Sequence, residues 1–382
     1  MKAVSSLVVA LSVVGSIGVA AQQPQSPSAQ EALLLAQGFG YLSSGDVARA
    51  AAVATQVMAQ FPLSEAGVAL AVAVELPRSG WMGALSTYEQ WLGARKAEDP
   101  YVLRRIARAC LHDALGNVGT RPRALEALIA DGDQEALAAA TAGSAAGKFT
   151  DTEALATAGD EKAVKAIIAQ MDAMPQARGA FIDALSRTHS RLAVPPLMKL
   201  LDDQDFATKA RAADALGKIG ARESIDKLRS LLDEKEQFSV RFSSAEALAR
   251  LGDTSGVTFL RTTLDSNASN PAASLLRVQA AAALALTGPE SGWMDTSRAL
   301  LNDPQSHVRV LAAQTLAPYD NATAKASLDA LLNDPNPAIR QLAAMVLARD
   351  VAGDFSTLRS LIRSTDGEAR VSAAARILEI SR

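Results

Sequence analysis

The segment Asn333–Arg349, NDPNPAIRQLAAMVLAR, carries the pattern that decides the fold. Its basic residue Arg340 is followed by small residues at offsets three and four, Ala343 and Ala344, and by Leu347 at offset seven. On an α-helix these positions, with the one before the arginine, fall within one arc of about 140°. The segment therefore predicts an amphipathic helix with a single buried stripe.

The same frame recurs six more times at nearly constant spacing. The basic residue of each copy, called its anchor below, is one of seven: Arg178, Lys209, Arg241, Arg277, Arg309, Arg340 and Arg370. Successive anchors are 31, 32, 36, 32, 31 and 30 residues apart, and a period of this length is the signature of stacked repeats. A second amphipathic segment ending in an aliphatic pair, such as Leu300 and Leu301, precedes most anchors. Each unit is therefore predicted to be a helical hairpin that needs its neighbours to cover it.

These hairpins predict an all-α fold, an α-solenoid of stacked helical hairpins over residues 161–382. Composition favours the same class, because 49% of the residues are hydrophobic while only 4% are aromatic, which suits helical packing better than a β-rich fold. The formal net charge of −3 provides no basic footprint for nucleic acid. Nucleic-acid binding is therefore not expected.

The run D-P-x-x-x-[VI]-R-x-x-A-A-x-x-L, present at Asp303–Leu316 and Asp334–Leu347, resembles HEAT repeats. Its spacing is most similar to the short HEAT-like repeats of the phycobilisome-lyase class. The resemblance implies a superhelical scaffold that binds proteins, and in that class only some members assist chromophore attachment. The chain departs from the full pattern because Asp-Pro is absent before four anchors: Lys209, Arg241, Arg277 and Arg370.

Residues 1–21 begin with a lysine after Met1, continue as an apolar run and end in small residues at Ala20 and Ala21. This pattern predicts a cleaved secretory signal peptide, with an uncleaved membrane anchor as the alternative because the run approaches spanning length. We expect cleavage, and hence an exported protein, periplasmic or extracellular, without a stable membrane anchor. Residues 22–30 contain two prolines and almost no aliphatic residues, which predicts a disordered mature N-terminus.

A different helical pattern occupies residues 31–116. Five residues have the spacing of a tetratricopeptide repeat: Gly38, Tyr41, Gly45, Ala50 and Pro62. In the family that this segment resembles, small residues let two helices cross closely and the proline ends the second helix. The resemblance implies helical hairpins with a concave surface that holds a peptide or another protein.

Two segments leave alternatives open. Residues 117–160 form either a helical connector or one degenerate repeat, since Lys148 and Leu155 satisfy the seven-residue offset 30 residues before Arg178. The longest interval, before Arg277, lengthens the loop 265–274. That loop is either a functional protrusion or an idle surface insertion.

The residues that usually carry chemistry are sparse. Cys110 is the single cysteine and lies in an apolar helical run, so we expect a buried hydrophobe, with intermolecular disulfide pairing as the alternative. The histidines His112, His189 and His307 lie far apart in sequence, and none has a second ligand at helical spacing. The sequence contains no nucleophile-elbow, P-loop or dinucleotide-binding motif. We therefore expect a non-enzymatic protein without metal or cofactor.

The anchors are interpreted as structural residues. Each guanidinium is expected to bond carboxylates or carbonyls in the turn of its own or the adjacent unit, as Asp303 and Asp334 six residues upstream suggest. The alternative is a ladder of cations that binds an anion.

Offsets one, two, five and nine from each anchor point away from the buried stripe and form a mixed apolar and polar surface, called the candidate strip below. Such a strip suits a partner helix or peptide, although flanking helices are the alternative cover for part of it. Its members are Val278, Gln279, Val310, Leu311, Gln314, Gln341, Leu342, Met345 and Arg349.

Three functions fit the sequence. The first, which we expect, is an exported scaffold that binds a protein or peptide partner on the concave solenoid surface. The second is a lyase or assembly chaperone of the phycobilisome-lyase type, and the third is a structural subunit of a cell-envelope assembly. Ile377 and Leu378 are flanked by Arg376, Glu379 and Arg382, an arrangement typical of a polar cap that closes the last repeat.

Overall fold

The computed structural model describes residues 28–93, 97–266, 271–288, 292–351 and 354–382, and it is all-helical in these ranges. The predicted signal peptide lies outside the described residues. Ala29 and Gln30, which the sequence predicts to be disordered, instead begin the first helix, because the Ser28 hydroxyl accepts a 3.2 Å hydrogen bond from the backbone N–H of Glu31.

Twenty-one α-helices are present in the described residues. The first seven are α1 (Ala29–Ser43), α2 (Val47–Gln60), α3 (Glu65–Leu92), α4 (Pro100–Ala114), α5 (Arg121–Ala130), α6 (Gln134–Ala145) and α7 (Phe149–Thr157). The next seven are α8 (Glu161–Ala173), α9 (Arg178–Arg187), α10 (Val194–Leu200), α11 (Phe206–Ile219), α12 (Ile225–Ser230), α13 (Phe238–Arg250) and α14 (Val257–Leu264). The last seven are α15 (Pro271–Ala285), α16 (Trp293–Leu300), α17 (Ser306–Leu316), α18 (Asn321–Leu331), α19 (Pro337–Val346), α20 (Phe355–Ile362) and α21 (Gly367–Ile380).

Short helical pieces complete the chain. Three 3₁₀ turns lead into α9, α10 and α12: Pro175–Ala177, Arg191–Ala193 and Arg222–Ser224. A π-helical turn, Leu347–Val351, extends α19. Within the described ranges, every helix is too short or too polar to span a lipid bilayer.

The N-terminal part consists of closely crossing helices. Gly38 lies against Leu70 and Val53, and a Cβ at this position would overlap Leu70, so the crossing of α1 with α3 requires a glycine. Gly80, with φ of 69°, kinks α3 into two halves, a backbone conformation that favours glycine. The helical hairpin α1–α2 is present as expected, and the specific tetratricopeptide assignment stays a prediction.

The repeats form two layers. In one layer the odd-numbered helices from α5 to α21 contact one another in order, while the even-numbered helices from α6 to α20 each pack on the odd-numbered partner of their hairpin. Small residues set the spacing of the first layer, since Gly217 on α11 lies against Ala247 on α13. The alanines at offsets three and four, such as Ala343 and Ala344, are buried as the sequence predicts.

The segment 117–160 folds into α5, α6 and α7, which pack on one another in the manner of the later hairpins. Arg121 occupies the anchor position here, because Ala124, Leu125 and Leu128 follow it at offsets three, four and seven and are fully buried. Its guanidinium binds both carboxylate oxygens of Asp151 at 3.0 and 2.8 Å. Lys148 is the residue before α7, and Asp151, Thr152 and Leu155 at offsets three, four and seven from it are buried as well.

The stack of odd-numbered helices closes on itself. The last helix, α21, packs against both α4 and α5, so contacts run from α5 through α21 and back to α5. Ile377 and Leu378 are consequently buried against the N-terminal helices. The expected polar cap at the C-terminus is therefore wrong, because the final repeat is covered by the first ones and not by solvent.

Candidate functional site

Three anchors bind the turn that precedes their own helix. Arg309 donates from Nη1 to the carbonyl oxygen of Asp303 at 2.8 Å, and Arg340 donates to that of Asp334 at 2.8 Å. Arg370 donates to the carbonyl of Ser364 at 3.1 Å. Each guanidinium therefore caps the backbone of the turn six residues upstream, where helix-terminal carbonyls otherwise lack partners.

Three further anchors bind elsewhere within the stack. Arg178 and Lys209 reach the turn of the next unit, where they pair with Asp203 at 2.9 Å and Glu236 at 3.1 Å. Arg277 donates from Nε to the carbonyl of Leu264 at 3.0 Å, within its own hairpin. In these six units each cation binds a carbonyl or carboxylate of the protein. This arrangement is typical of structural residues and does not favour a row of cations that binds an anion.

Arg241 differs from the other anchors. Its guanidinium carbon lies 4.6 Å from the ring centroid of Phe259, a distance that suits a cation–π interaction. Its buried Nε atom has no hydrogen-bond partner among the described residues.

Two members of the candidate strip are not at the surface. Val278 and Val310, both at offset one, are completely buried. Offset one points toward the adjacent repeat and not toward solvent, as Phe242 and Val371 at the same offset also show. The expectation that offset one is exposed is therefore wrong for Val278 and Val310, whereas Gln341 at the same offset is half-buried.

Three further members, Gln279, Leu311 and Gln314, line a groove of about 420 Å³ across α13, α15 and α17. Gln279 and Leu311 form its sides together with Leu286, whose side chain is 54% exposed. Gln314 lies at one end and donates from Nε2 to Asp350 at 2.9 Å. This surface, called the strip groove below, combines exposed apolar carbon with side-chain amides.

The other four members lie on α19 or just after it, away from the strip groove. They are Gln341, Leu342, Met345 and Arg349. Met345 contacts Arg123 of α5, with 3.9 Å between its sulfur and Nη1, and Arg349 is paired with Asp350 at 2.8 Å. The structure therefore divides the predicted strip into a groove on α15 and α17 and a second part beside the closure.

The candidate strip lies on the concave side of the stack. Side chains two helices apart approach one another on this face, as Arg123 on α5 and Met345 on α19 do. Burial raises the pKa of the Glu126 carboxyl on α5, and the positive charge of Arg187 on α9 partly opposes this effect. Such convergence is expected only where a curved layer of helices narrows.

Charge is distributed unevenly along this concave face. Between α9 and α13 the exposed positions carry ion pairs, with Arg211 bonded to Asp183 at 2.6 Å and Arg250 bonded to Asp214 at 2.9 Å. In the units of α15 and α17 the equivalent positions are uncharged: Gln279, Ala282, Leu286, Leu311, Gln314 and Pro318. The strip groove lies next to these ion pairs, because Arg250 of the last pair also lines it.

Glu246 and Arg250, which are not among the predicted strip residues, also line the strip groove. They lie at offsets five and nine from Arg241, so applying the same frame to an earlier unit would have found them. Burial raises the pKa of the Glu246 carboxyl to about 7, an effect that the nearby Arg250 partly opposes. Tyr319 lines the groove as well, donating a 2.8 Å hydrogen bond to the carbonyl of Ala285, and no repeat offset identifies it.

The single thiol and the histidines lie elsewhere. Cys110 is buried in α4, and burial raises its pKa to about 12, which leaves it protonated at neutral pH. His112 contacts Asp133 at 2.8 Å. In the described part of the chain, no three side chains of the metal-binding types are grouped so as to hold an ion.

Comparison with known proteins gives a family for the repeats. A family model described as HEAT repeats matches three overlapping segments, 161–249, 194–274 and 266–348. No curated protein matches the chain.

Several solved structures are similar to parts of it. The complex of CpcE and CpcF of phycocyanin lyase from Nostoc sp. PCC7120 is 18% identical with a TM-score of 0.39, covering 74% of this chain and 95% of that one. An engineered protein is 23% identical with a TM-score of 0.28, covering 50% of this chain and 96% of that one. Human deoxyhypusine hydroxylase in complex with glycerol is 19% identical with a TM-score of 0.29, covering 75% of this chain and 99% of that one.

These TM-scores lie below 0.5, and the likenesses carry no argument about function. The family match over 161–348 and the stacked hairpins that the structure shows agree with each other. Residues 161–348 are HEAT repeats, and they form part of an α-solenoid fold.

Proposed function

We propose that this chain is a non-catalytic scaffold that binds a protein or peptide partner in the strip groove. The observation that carries the proposal is the exposed Leu286 and the partly buried Leu311, which line the groove beside the amide of Gln279. Apolar side chains in a concave surface with a few polar groups are what a binding groove requires. The volume of about 420 Å³ lies in the range usual for such pockets.

The expected occupant is an amphipathic helix or an extended peptide. An aliphatic side chain of the partner would lie between Leu286 and Leu311, while Gln279 provides a donor and an acceptor for a backbone group. The paired charges from α9 to α13 would flank this contact and contribute mainly to orientation.

Site-specific photo-crosslinking in cells tests the proposal. A photoreactive amino acid at Leu311 should give one reproducible adduct with a partner protein, whereas the same residue at Ala326, on an exposed position of α18, should not. Leu286→Ser should reduce the yield of that adduct about tenfold, since burying a leucine side chain contributes roughly 1.5–3 kcal/mol. The substitution leaves the fold intact because Leu286 is half-exposed.

Two results would refute this proposal. Equal labelling from Leu311 and Ala326 would show that the strip groove has no specific partner. An adduct from Leu311 whose yield does not change in the Leu286→Ser variant would place the contact elsewhere.

Export is a separate part of the proposal and rests on residues 1–21 alone. A periplasmic or extracellular scaffold would lose this segment on export. Fractionation of cells, with mass spectrometry of the N-terminus, should find a mature protein that begins at Gln22. A cytosolic protein that retains Met1 would refute export without affecting the strip groove.

A further inference from the structure

A second pocket lies on another part of the solenoid, between α13, α14 and α15. Its volume is about 830 Å³, and it is lined by Phe238, Arg241, Phe259, Thr262 and Leu276 among others. The pocket occurs at the unit with the longest interval between anchors. Residues 267–270 lie outside the described residues, and none of them is counted among the lining residues.

Aromatic rings provide the apolar wall of this pocket. Phe238 lies 5.4 Å from Phe259 and 5.9 Å from Phe242, measured between ring centroids. Phe238 remains 45% exposed although it is packed against both rings. A large, rigid and half-exposed ring of this kind is suited to cover an apolar side chain of a ligand.

Arg241 supplies the charge. The other six anchors bind turn carbonyls or carboxylates, whereas the described residues provide no hydrogen-bond acceptor for Arg241 Nε. Its contact with the ring of Phe259 is a cation–π interaction that uses none of the guanidinium N–H groups as hydrogen-bond donors to an oxygen, so they can serve another group. A guanidinium lying on an aromatic ring is held in one orientation, which favours planar recognition of a carboxylate.

Threonine hydroxyls add polar groups on the opposite side. Thr258 and Thr262 lie one helical turn apart on α14 and are exposed to the pocket. The Thr262 hydroxyl donates to the carbonyl of Thr258 at 3.0 Å, and its oxygen can still accept a hydrogen bond from a ligand N–H. Glu234 also lines the pocket, and its negative charge would repel a ligand with several consecutive acidic residues. A ligand with a single carboxylate, placed at Arg241, therefore fits best.

We propose that this pocket binds a peptide segment in which one acidic residue is flanked by apolar residues. The carboxylate would accept hydrogen bonds from Arg241, the apolar side chain would cover Phe238, and a backbone N–H would donate to Thr262. The site is separate from the strip groove and does not depend on it.

Fluorescence anisotropy with a labelled peptide Gly-Leu-Asp-Leu-Gly, blocked at its C-terminus, tests the proposal on the full chain. The matched peptide Gly-Leu-Asn-Leu-Gly should bind wild-type protein about tenfold more weakly, because it lacks the charge-assisted hydrogen bonds. In the Arg241→Gln variant the two peptides should bind equally, which is the result of a double-mutant cycle for a direct contact.

Matched variants separate the site from general effects. Arg309→Gln removes the same charge from a unit whose anchor is satisfied by its own turn, and it should keep the tenfold preference for the aspartate peptide. The Leu286→Ser variant, changed in the strip groove, should also keep the tenfold preference for the aspartate peptide. Failure of the strip-groove proposal and failure of this one can therefore be told apart. If circular dichroism shows that Arg241→Gln is unfolded, Arg241→Lys, which retains the charge without the planar fork, should weaken the aspartate peptide severalfold.

The proposal is overturned if wild-type protein does not distinguish the two peptides or binds neither. A preference for aspartate that persists in both folded Arg241 variants would show that another cation is responsible. In that case the contact of Arg241 with Phe259 would be purely structural.

Discussion

Arg104 in α4 donates a 2.7 Å hydrogen bond from Nη1 to the main-chain carbonyl of Leu378, which lies 274 positions later in the last helix. The same face of the closure contains ion pairs. Arg359 bonds Glu89 at 2.9 Å and Glu98 at 3.1 Å, and Arg363 bonds Glu89 as well. The two ends of the solenoid are therefore held together by buried apolar contacts and by charged groups at their edge.

Glu89→Gln should weaken this closure, because one carboxylate serves two arginines. We expect the free energy of unfolding to fall by about 1–2 kcal/mol. This loss is smaller than that for a buried ion pair, because these side chains are partly exposed and solvent screens their charges. Hydrogen exchange of the α21 amides should become faster while that of α11 stays unchanged, since local opening affects only the end of the stack.

Asp329→Asn is the matched control, because Asp329 pairs with Lys325 within one exposed turn of α18 at 2.9 Å. That change should cost less than about 0.5 kcal/mol. Unchanged exchange of α21 in the Glu89→Gln variant would mean that the ion pairs contribute nothing to closure.

Arg340→Ala should destabilise the fold before it alters any binding. The guanidinium donates to the carbonyls of Asp334 and Pro335 at 2.8 and 3.0 Å, and its removal leaves turn carbonyls without these donors. We expect a loss of about 1–2 kcal/mol in urea unfolding, compared with less than about 0.5 kcal/mol for Arg49→Ala, whose side chain is 70% exposed. Unchanged stability with lost partner binding would instead support a role for the anchors in recognition.

Gly217→Ala should be destabilising although alanine favours helices. A Cβ at Gly217 would lie 2.6 Å from the Cα and 2.8 Å from the Cβ of Ala247, so α11 and α13 would have to separate. Overpacking of this kind costs about 1–3 kcal/mol, more than the gain of up to about 1 kcal/mol in helix propensity.

Gly40→Ala provides the opposite case, because no atom lies within 4 Å of a Cβ built at this position in α1. It should raise the free energy of unfolding by about 0.5–1 kcal/mol. Thermal denaturation measures the stability of both variants. If the two substitutions change the stability equally, α11 and α13 are not closely packed at Gly217.

The repeats could be predicted from the sequence because each anchor and its buried stripe lie within nine consecutive residues. Periodicity determines which side faces the core, and the alanines after Arg340 are buried accordingly. Arg121 was missed because it lies 27 residues before Lys148, a shorter interval than the 30 to 36 residues between later anchors.

Closure of the solenoid could not be predicted in this way. The contacts of Arg104 with Leu378 and of Arg382 with Ala130 join positions more than 250 residues apart, and such pairs leave no periodic signal. The strip groove was predicted in part, because Gln279, Leu311 and Gln314 follow the helical frame. The prediction was wrong for Val278, because the neighbouring repeat covers offset one. A helical wheel represents a single helix and does not show this contact.

Glu246 should make the stability of the protein depend on pH. Burial raises the pKa of its carboxyl from 4.5 to about 7 in the folded chain, whereas the unfolded chain titrates near its ordinary value. Between these two values the folded protein holds a proton that the unfolded protein has released. The contribution of this group is therefore fully present below about pH 4.5, falls as the pH rises, and is lost above about pH 7.

The Glu246→Gln variant isolates this effect, because glutamine stays neutral at every pH. Relative to the variant, the wild-type protein should lose about 1–3 kcal/mol of unfolding free energy between pH 5 and pH 8, measured by urea denaturation at both values. Glu379→Gln, which removes a carboxylate with a 63% exposed side chain, should not change the difference between the two pH values. If the wild-type protein and the Glu246→Gln variant show the same dependence on pH, the carboxyl of Glu246 must ionise alike in the folded and unfolded chains. The strip groove would then be hydrated at its α13 side, and a partner would meet a full negative charge there at neutral pH.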